Sequence, residues 1–332
     1  MGYGLVMRRD TSYIASIIRS IALATPAITL SQSGCIIATS SCDGFQSQRM
    51  ETRVVVPPPD AANSDAGLPG NPNECTLFCN QHGTGYGINN DCRVARSDGG
   101  GAVVVCSFNT TCDGRRPDGY EPPELDANAP LLGGYFAAMA AAEHASVAAF
   151  ERMAAELDEH AFPALARRAR RAAADEAHHF RITAALARKF GAKAVQGRTT
   201  PKPTRPLVDM AIENAREGVV RETLGAILGV WQSRHAGERS VRGAMKRIAG
   251  DETAHAVLSW DIDWSVRSRL SRAEHTLLDS ARDQALSAME RSLASPVPRE
   301  LARRAGVPTG VVAVALVRAA RERLYGPHQR SV

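Results

Sequence analysis

The sequence predicts an all-α fold: a four-helix bundle with extra C-terminal helices, preceded by a small cysteine-rich module and an export segment. Three observations predict it. From residue 131 onward, Ala, Arg, Leu and Glu dominate and apolar residues recur at helical spacing. All seven cysteines precede residue 113. Aromatic residues make up only 5% of the chain, so we expect an aliphatic core. The predicted segments are 1–42, 43–73, 74–120, 131–267 and 268–332.

The first segment, residues 1–42, has the composition of an export signal. Three arginines, Arg8, Arg9 and Arg19, precede a short apolar run at 21–30. This run is too short to cross a bilayer as a helix. Two processing routes are open, namely cleavage after Ala38-Thr39-Ser40 or lipidation of Cys35. We therefore expect an exported protein that is periplasmic, secreted or anchored at the outer membrane surface through a lipid.

The next two segments differ in their cysteine content. Residues 43–73 are rich in Pro, Gly, Asn and Asp, which predicts a flexible linker. Residues 74–120 hold five cysteines within 38 positions and no CxxC pair, so a disulfide-stapled module is a better interpretation than a zinc site. Its one strong strand signal covers 102–106. The candidate disulfide cysteines are Cys42, Cys75, Cys79, Cys92, Cys106 and Cys112.

Four long helices are predicted in the bundle segment, at 131–160, 162–191, 205–235 and 239–267. Short turns join the first helix to the second and the third to the fourth. The stretch 191–206 contains three prolines and is long enough to cross the end of the bundle. Two further helices are expected at 271–294 and 309–325, with Ser271 and Thr309 as N-caps.

An Asp-Glu-x-x-His motif occurs in the second helix and again in the fourth. Each copy interrupts an otherwise mostly apolar stripe, which places Glu176 and His179, and likewise Glu252 and His255, in the core. A glutamate and a histidine three residues apart lie on nearly one face of a helix. Each pair can therefore bind one metal ion.

Single glutamates in the first and third helices complete the set of candidate metal ligands. Glu143 is the one carboxylate in the apolar stripe of the first helix. In the third helix, both Glu217 and Glu222 have apolar neighbours. We assign Glu222, because small residues flank it and it precedes Glu252 by 30 residues, much as Glu143 precedes Glu176 by 33. Glu217 is the alternative candidate, as an extra or exchangeable ligand. Carboxylates that converge in a core need a compensating cation, which predicts a pair of metal ions.

With one Glu and one Glu-x-x-His repeated twice, residues 131–267 resemble the ferritin-like domains of the rubrerythrin and bacterioferritin group. The resemblance implies a bundle that binds two iron ions, with manganese as the alternative. It also implies that Asp175 and Asp251 orient the ligand histidines. Together with the cysteine-rich segment, the chain is similar to exported ferritin-like proteins of unassigned role. The implied metal ligands are Glu143, Glu176, His179, Glu222, Glu252 and His255.

This ligand set leaves coordination positions open, so we expect an exported oxidoreductase that acts on dioxygen, peroxide or ferrous iron. No CxxC pair follows the bundle, and the electron route of rubrerythrin is therefore absent. The alternative is a non-enzymatic, surface-anchored binding or structural protein whose bundle is stapled by metal. The arginine surplus is spread over helix faces without a basic patch flanked by aromatics, which argues against a nucleic-acid partner.

Overall fold

The computed structural model describes residues 11–23, 49–56, 88–96, 102–109, 119–126, 128–200 and 202–325. This part of the chain is mostly helical, which confirms the predicted all-α class. It contains eight helices: α1 (Thr11–Leu23), α2 (Leu131–Glu159), α3 (Pro163–Lys189), α4 (207–235), α5 (Arg239–Arg267), α6 (Arg272–Leu293), α7 (Arg299–Arg304) and α8 (Gly310–Tyr325).

The four long helices α2 to α5 begin and end within two residues of the predicted bounds. A tight turn connects α2 to α3, and the two helices pack side by side. In this turn Ala161 has a positive φ of 58°. Helices α4 and α5 form a second pair, and α3 packs against α5. The turn between α4 and α5 lies against α7, where a Cβ on Gly237 would come within 2.6 Å of the Arg303 carbonyl oxygen. Only glycine fits there.

Helix α4 is continuous but changes its winding twice. It is α-helical over Leu207–Glu213, π-helical over Asn214–Glu222 and α-helical again over Thr223–His235. The bonds of a π-helix join residues five apart, so the phase of the side chains differs from that of a regular α-helix. The Asn214 side-chain amide donates a hydrogen bond of 2.9 Å to the Ser259 carbonyl oxygen of α5, which ties this segment to its neighbour. Such segments are rare and often lie at functional sites.

Two apolar layers close the interior of the helical bundle at different heights. One contains Phe136, Leu186 and Ile248. The other contains Phe150 and Leu258, together with the alanines of α3. On α2, α3 and α5, the polar residues singled out in the sequence fall between these layers. The packing therefore places charged side chains at the centre of a largely aliphatic core.

The C-terminal extension packs on this bundle as three helices rather than the two predicted. Helix α6 begins at a capping box formed by Ser271 and Glu274, as the sequence suggests for Ser271. It packs against the π-helical part of α4, and α8 packs against α6. The Tyr325 hydroxyl donates a hydrogen bond of 2.7 Å to the Val219 carbonyl oxygen. The short helix α7 contacts α2.

Helix α1 packs against α4, α5 and α8 within the same helical unit. Ile14, Ile17, Ile18 and Ile21 are buried there. This helix lies in the segment predicted as an export signal, and Ile21 belongs both to the apolar run at 21–30 and to this packed core. None of the helices in the described ranges is both long and apolar enough to span a membrane. Cys35 and the candidate cleavage tripeptide lie outside the described residues, and export stays a prediction.

Three strands precede the bundle and pair as an antiparallel sheet in the order β1-β3-β2: β1 (Arg49–Val56), β2 (Ile88–Arg96) and β3 (Ala102–Asn109). Strand β3 includes the segment predicted from its valines. Strand β1 lies within 43–73, where the sequence predicts a flexible linker. This segment forms a strand because it pairs along its length, including its Val-rich end, with the distant strand β3. A second pairing joins β4 (Tyr120–Glu121) to β5 (Arg198–Thr199).

The disulfide predictions fall only partly on these strands. Cys92 and Cys106 are directly opposite each other in the register of β2 and β3. The other four candidates, Cys42, Cys75, Cys79 and Cys112, lie outside the described residues. The pairing of the cysteines stays a prediction.

Candidate metal centre

Six acidic and histidine side chains from all four long helices meet between the two apolar layers. Their ligand atoms form two groups, and within each group these atoms lie within 4.8 Å of one another. Bonds from small divalent ions to nitrogen or oxygen ligands are about 2.1 Å long, so donors around one ion lie up to about 4.2 Å apart. Both groups are close to that size. One contains Glu143, Glu176, His179 and Glu252, and the other contains Glu176, Glu222, Glu252 and His255.

The first group surrounds Nδ1 of His179, which is fully buried. This nitrogen lies 3.7 Å from Oε2 of Glu143, 3.6 Å from Oε2 of Glu176 and 3.3 Å from Oε1 of Glu252. The histidine is therefore flanked by carboxylates from three helices, α2, α3 and α5.

The second group surrounds Nδ1 of His255 in the same way. This nitrogen lies 3.1 Å from Oε1 of Glu176, 3.9 Å from Oε2 of Glu222 and 3.8 Å from Oε2 of Glu252. Helices α3, α4 and α5 supply this set. The two imidazole rings have their centroids 5.9 Å apart.

Glu176 and Glu252 belong to both groups. The two oxygens of Glu176 face different histidines, and so do the two oxygens of Glu252. Glu143 and Glu222 each belong to one group only. The Glu-x-x-His glutamates are therefore the residues that both donor groups share.

The aspartates that precede those glutamates contact the histidine of the opposite motif. Asp251 Oδ2 lies 3.1 Å from Nε2 of His179, and Asp175 Oδ2 lies 3.5 Å from Nε2 of His255. Asp251 can therefore accept a hydrogen bond from Nε2–H of His179, and Asp175 lies at the limit of that distance from Nε2 of His255. In both cases Nδ1 is the ring nitrogen that faces the carboxylates. Each motif orients the histidine of the other.

A hydroxyl one turn after each histidine repeats this symmetry. Thr183 donates to the carbonyl oxygen of His179 at 2.8 Å, and Ser259 donates to that of His255 at 2.9 Å. Both hydroxyls are buried. Residue spacing alone does not predict these hydrogen bonds, although both positions lie in the predicted stripes.

Several buried polar atoms at the centre fit the donor set of a metal ion. Within the described part of the chain, Oε2 of Glu176, Nδ1 of His179 and Nδ1 of His255 are buried and make no hydrogen bond. Leaving buried polar atoms without a hydrogen bond is unfavourable, and cations remove this cost for carboxylate and imidazole donors. These buried acidic and histidine side chains could hold metal ions.

The electrostatics of the cluster follow from burial and close opposite charges. Burial alone lowers the pKa of His179 and His255, but the adjacent carboxylates outweigh it and raise both well above their ordinary value. Burial, with the nearby charge of Glu176, raises the pKa of Glu143. Burial also raises the pKa of Glu252, yet the two histidines close to its oxygens overcome this and lower it. Protons and metal ions therefore compete for the same donors.

Glu217, the alternative ligand of the third helix, lies in neither donor group. It is buried, and its Oε1 lies 3.3 Å from Nε of Arg221 in an ion pair along the π-helical segment. The apolar stripes do not single out Arg221, although a spacing of four residues from Glu217 is typical of an ion pair along a helix.

Comparisons with protein-family models, with curated proteins and with solved structures found no match for this chain. The buried cluster of carboxylates and histidines in a helical protein is therefore the finding from which its function has to be inferred.

Proposed function

We propose that the protein is a ferritin-like di-metal oxidoreductase that binds two iron ions, with manganese as the alternative, and acts on dioxygen or peroxide. The observation that carries the proposal is the pair of donor groups that share Glu176 and Glu252. Two carboxylates common to both groups are what a closely spaced metal pair requires. One isolated ion would leave half of these buried donors unused.

The kinds of donor support iron or manganese. Each group offers three carboxylates and one imidazole, whereas structural zinc sites in proteins typically use thiolates with tetrahedral geometry. The described cluster contains no cysteine. Two bound ions would share only six protein side chains, so small ligands could occupy the remaining positions.

The residues of the chain have separate roles in this proposal. Glu176 and Glu252 hold both ions, while Glu143 and Glu222 each hold one. Asp175 and Asp251 keep the Nε2 protons of the histidines in place, so that Nδ1 faces the centre. The apolar layers above and below limit the access of water. When bound, the metal pair supplies redox-active ions with open positions for dioxygen or peroxide.

Elemental analysis of variants tests the metal ligands. We expect Glu176→Ala and Glu252→Ala to lose bound iron while circular dichroism shows retained helix, because each substitution removes a shared ligand. The matched control is Glu151→Ala, which removes an exposed carboxylate from α2 and should keep the wild-type iron content. Unchanged iron in both Glu176→Ala and Glu252→Ala would refute the proposed centre.

Oxygen consumption tests the reaction class. Protein loaded with ferrous iron should take up dioxygen in the wild type, and Glu176→Ala under the same conditions should not. Ferrous iron as the substrate would appear as many ferrous ions oxidised per chain. A wild-type protein that holds two irons but consumes no dioxygen or peroxide would favour the alternative of a metal-stapled, non-enzymatic support.

A further inference from the structure

A cavity of about 190 Å³ adjoins the candidate metal centre. Four carboxylates of the centre, Glu143, Glu176, Glu222 and Glu252, form part of its wall. A molecule in this cavity would therefore lie against the proposed metal pair. The character of the remaining wall decides what can bind beside the carboxylates.

Most of the exposed area of the whole wall is apolar. On the bundle side, Met139, Leu228, Met245 and Ile248 line the cavity, together with the polar side chains of Tyr135, Ser146, Arg221 and Gln232. Methionine side chains are flexible and polarisable, so they adapt to ligands of irregular shape. The apolar part of this wall offers a hydrated ferrous ion no hydrogen bonds, so the ion would have to lose water there.

The outer wall comes from the C-terminal extension. Met289, Leu293, Val297 and Leu301 line the cavity from α6, from the α6–α7 connection and from α7. Pro296 also lines the cavity and is the one exposed residue among the described lining residues, so the cavity reaches the surface beside it. The extension thus determines the size of the cavity and its opening.

Gly225 contributes space to the cavity. It lies in the interior of α4, three residues after Glu222, and lines the cavity. A Cβ built on Gly225 would meet no atom within 4 Å. Glycine destabilises the interior of a helix, and neither a turn nor a close backbone contact requires it here. Its missing side chain leaves space beside the centre.

We propose that this cavity binds one small apolar organic molecule, which is the substrate of the proposed centre in place of ferrous iron. The inference rests on the proposed function. Ligand sites in proteins are typically concave and mostly apolar with a few convergent polar groups, as this one is. An apolar cavity of about 150 Å³ is known to hold benzene, so this cavity has room for a substituted ring or a short chain.

The test uses toluene as the probe and the full-length chain loaded with Mn²⁺. Toluene should bind at one molecule per chain in a calorimetric titration. The paramagnetic ion should also speed the nuclear relaxation of bound toluene protons, an effect that falls steeply with distance. The same protein without Mn²⁺ should show toluene binding but no such enhancement.

Two glycine variants locate the binding. Gly225→Leu places a side chain in the cavity without a backbone clash, and we expect toluene affinity to fall at least tenfold. Gly243→Leu is the matched control, because Gly243 is an exposed glycine inside α5 whose Cβ also meets open space, away from the cavity. It should keep the wild-type affinity.

The outcomes separate this inference from the proposed function. A wild-type protein that holds two metal ions but binds no toluene would overturn the inference and leave the metal centre standing. Equal toluene binding in Gly225→Leu and Gly243→Leu would also overturn it, since the probe would then bind elsewhere. A wild type that takes up no Mn²⁺ would refute the centre and with it the substrate role, whether or not toluene binds.

Discussion

Glu222 and Glu217 are five residues apart on α4, yet only Glu222 lies in a donor group. We predict that Glu222→Gln weakens binding of one of the two metal ions at least tenfold. Glu217→Gln should retain both ions, because Glu217 pairs with Arg221 instead. A calorimetric titration with Mn²⁺ measures both variants. Loss of metal from Glu217→Gln with retention by Glu222→Gln would reverse the assignment.

Asp175 and Asp251 contact the ligand histidines rather than the centre itself. We predict that Asp175→Asn and Asp251→Asn weaken metal binding about 10- to 100-fold, as is typical when the partner of a ligand histidine is lost. The control is Asp261→Asn. Asp261 lies on α5 and forms an ion pair with Arg168 of α3, away from the centre. If the control and the two variants bind metal equally, the aspartates have no positioning role.

Protonation of the centre gives metal binding a definite pH dependence. The pKa values of His179, His255 and Glu143 are raised, so these groups hold their protons to a higher pH than usual until a metal ion displaces them. Since the metal binds the deprotonated forms, affinity should rise with increasing pH and binding should release protons. A pH indicator in weak buffer measures the release on Mn²⁺ addition. Binding without proton release would contradict this protonation pattern.

Spacing in the sequence predicts the five residues that α2, α3 and α5 contribute to the cluster, because the motif repeats in step and these helices are regular there. That the cluster binds metal stays a prediction. Spacing also favours Glu222 over Glu217 on α4, but the apolar stripes there point to both residues. Their faces were assigned on regular α-helical geometry, and the π-helical segment changes that phase. Hydrogen bonding from Asn214 to the neighbouring helix is a tertiary contact that local propensity does not encode.

At the scale of single elements, α1 differs most from its sequence interpretation. A short apolar helix next to arginines is typical of an export signal, but the same isoleucines also suit a buried helix face. Ile18 is fully buried among α1, α4, α5 and α8. We predict that Ile18→Ala in the full-length chain lowers the free energy of unfolding by about 2–5 kcal/mol.

Chemical denaturation measures this effect, and Tyr13→Ala is the control. Tyr13 is 49% exposed on the same helix, so its loss should change stability by no more than about 0.5 kcal/mol. Equal stability of Ile18→Ala and the wild type would show that α1 is not part of the folded unit.

The C-terminal extension, α6 to α8, is a second element whose role could not be predicted from the sequence. Helical periodicity predicts two of its helices, and Ser271 followed by Glu274 predicts where α6 begins. Its role as the outer wall of the cavity beside the centre depends on how α6 and α7 pack against α2, α4 and α5. Residues such as Met289 and Leu293 are ordinary helix-face residues in sequence, so no local pattern distinguishes them.

At the scale of the whole molecule, the described helices surround a buried charged cluster, and an apolar layer lies on each side of it. The aliphatic composition and the two hairpins are readable from sequence. The order of the strands β1-β3-β2 is not, because it depends on pairing between distant segments. The charged cluster has a stability cost unless a cation compensates it, so function and folding are coupled at the same six side chains.

The metal content of the full-length protein, measured by elemental analysis after expression with iron and purification in mild buffer, tests the central claim most directly. The proposed centre predicts close to two irons per chain, with visible absorption of ferric iron after exposure to air. Manganese in the same ratio would keep the centre and change the metal. A wild-type protein with no bound transition metal, or with one zinc per chain, would contradict a paired site at Glu176 and Glu252.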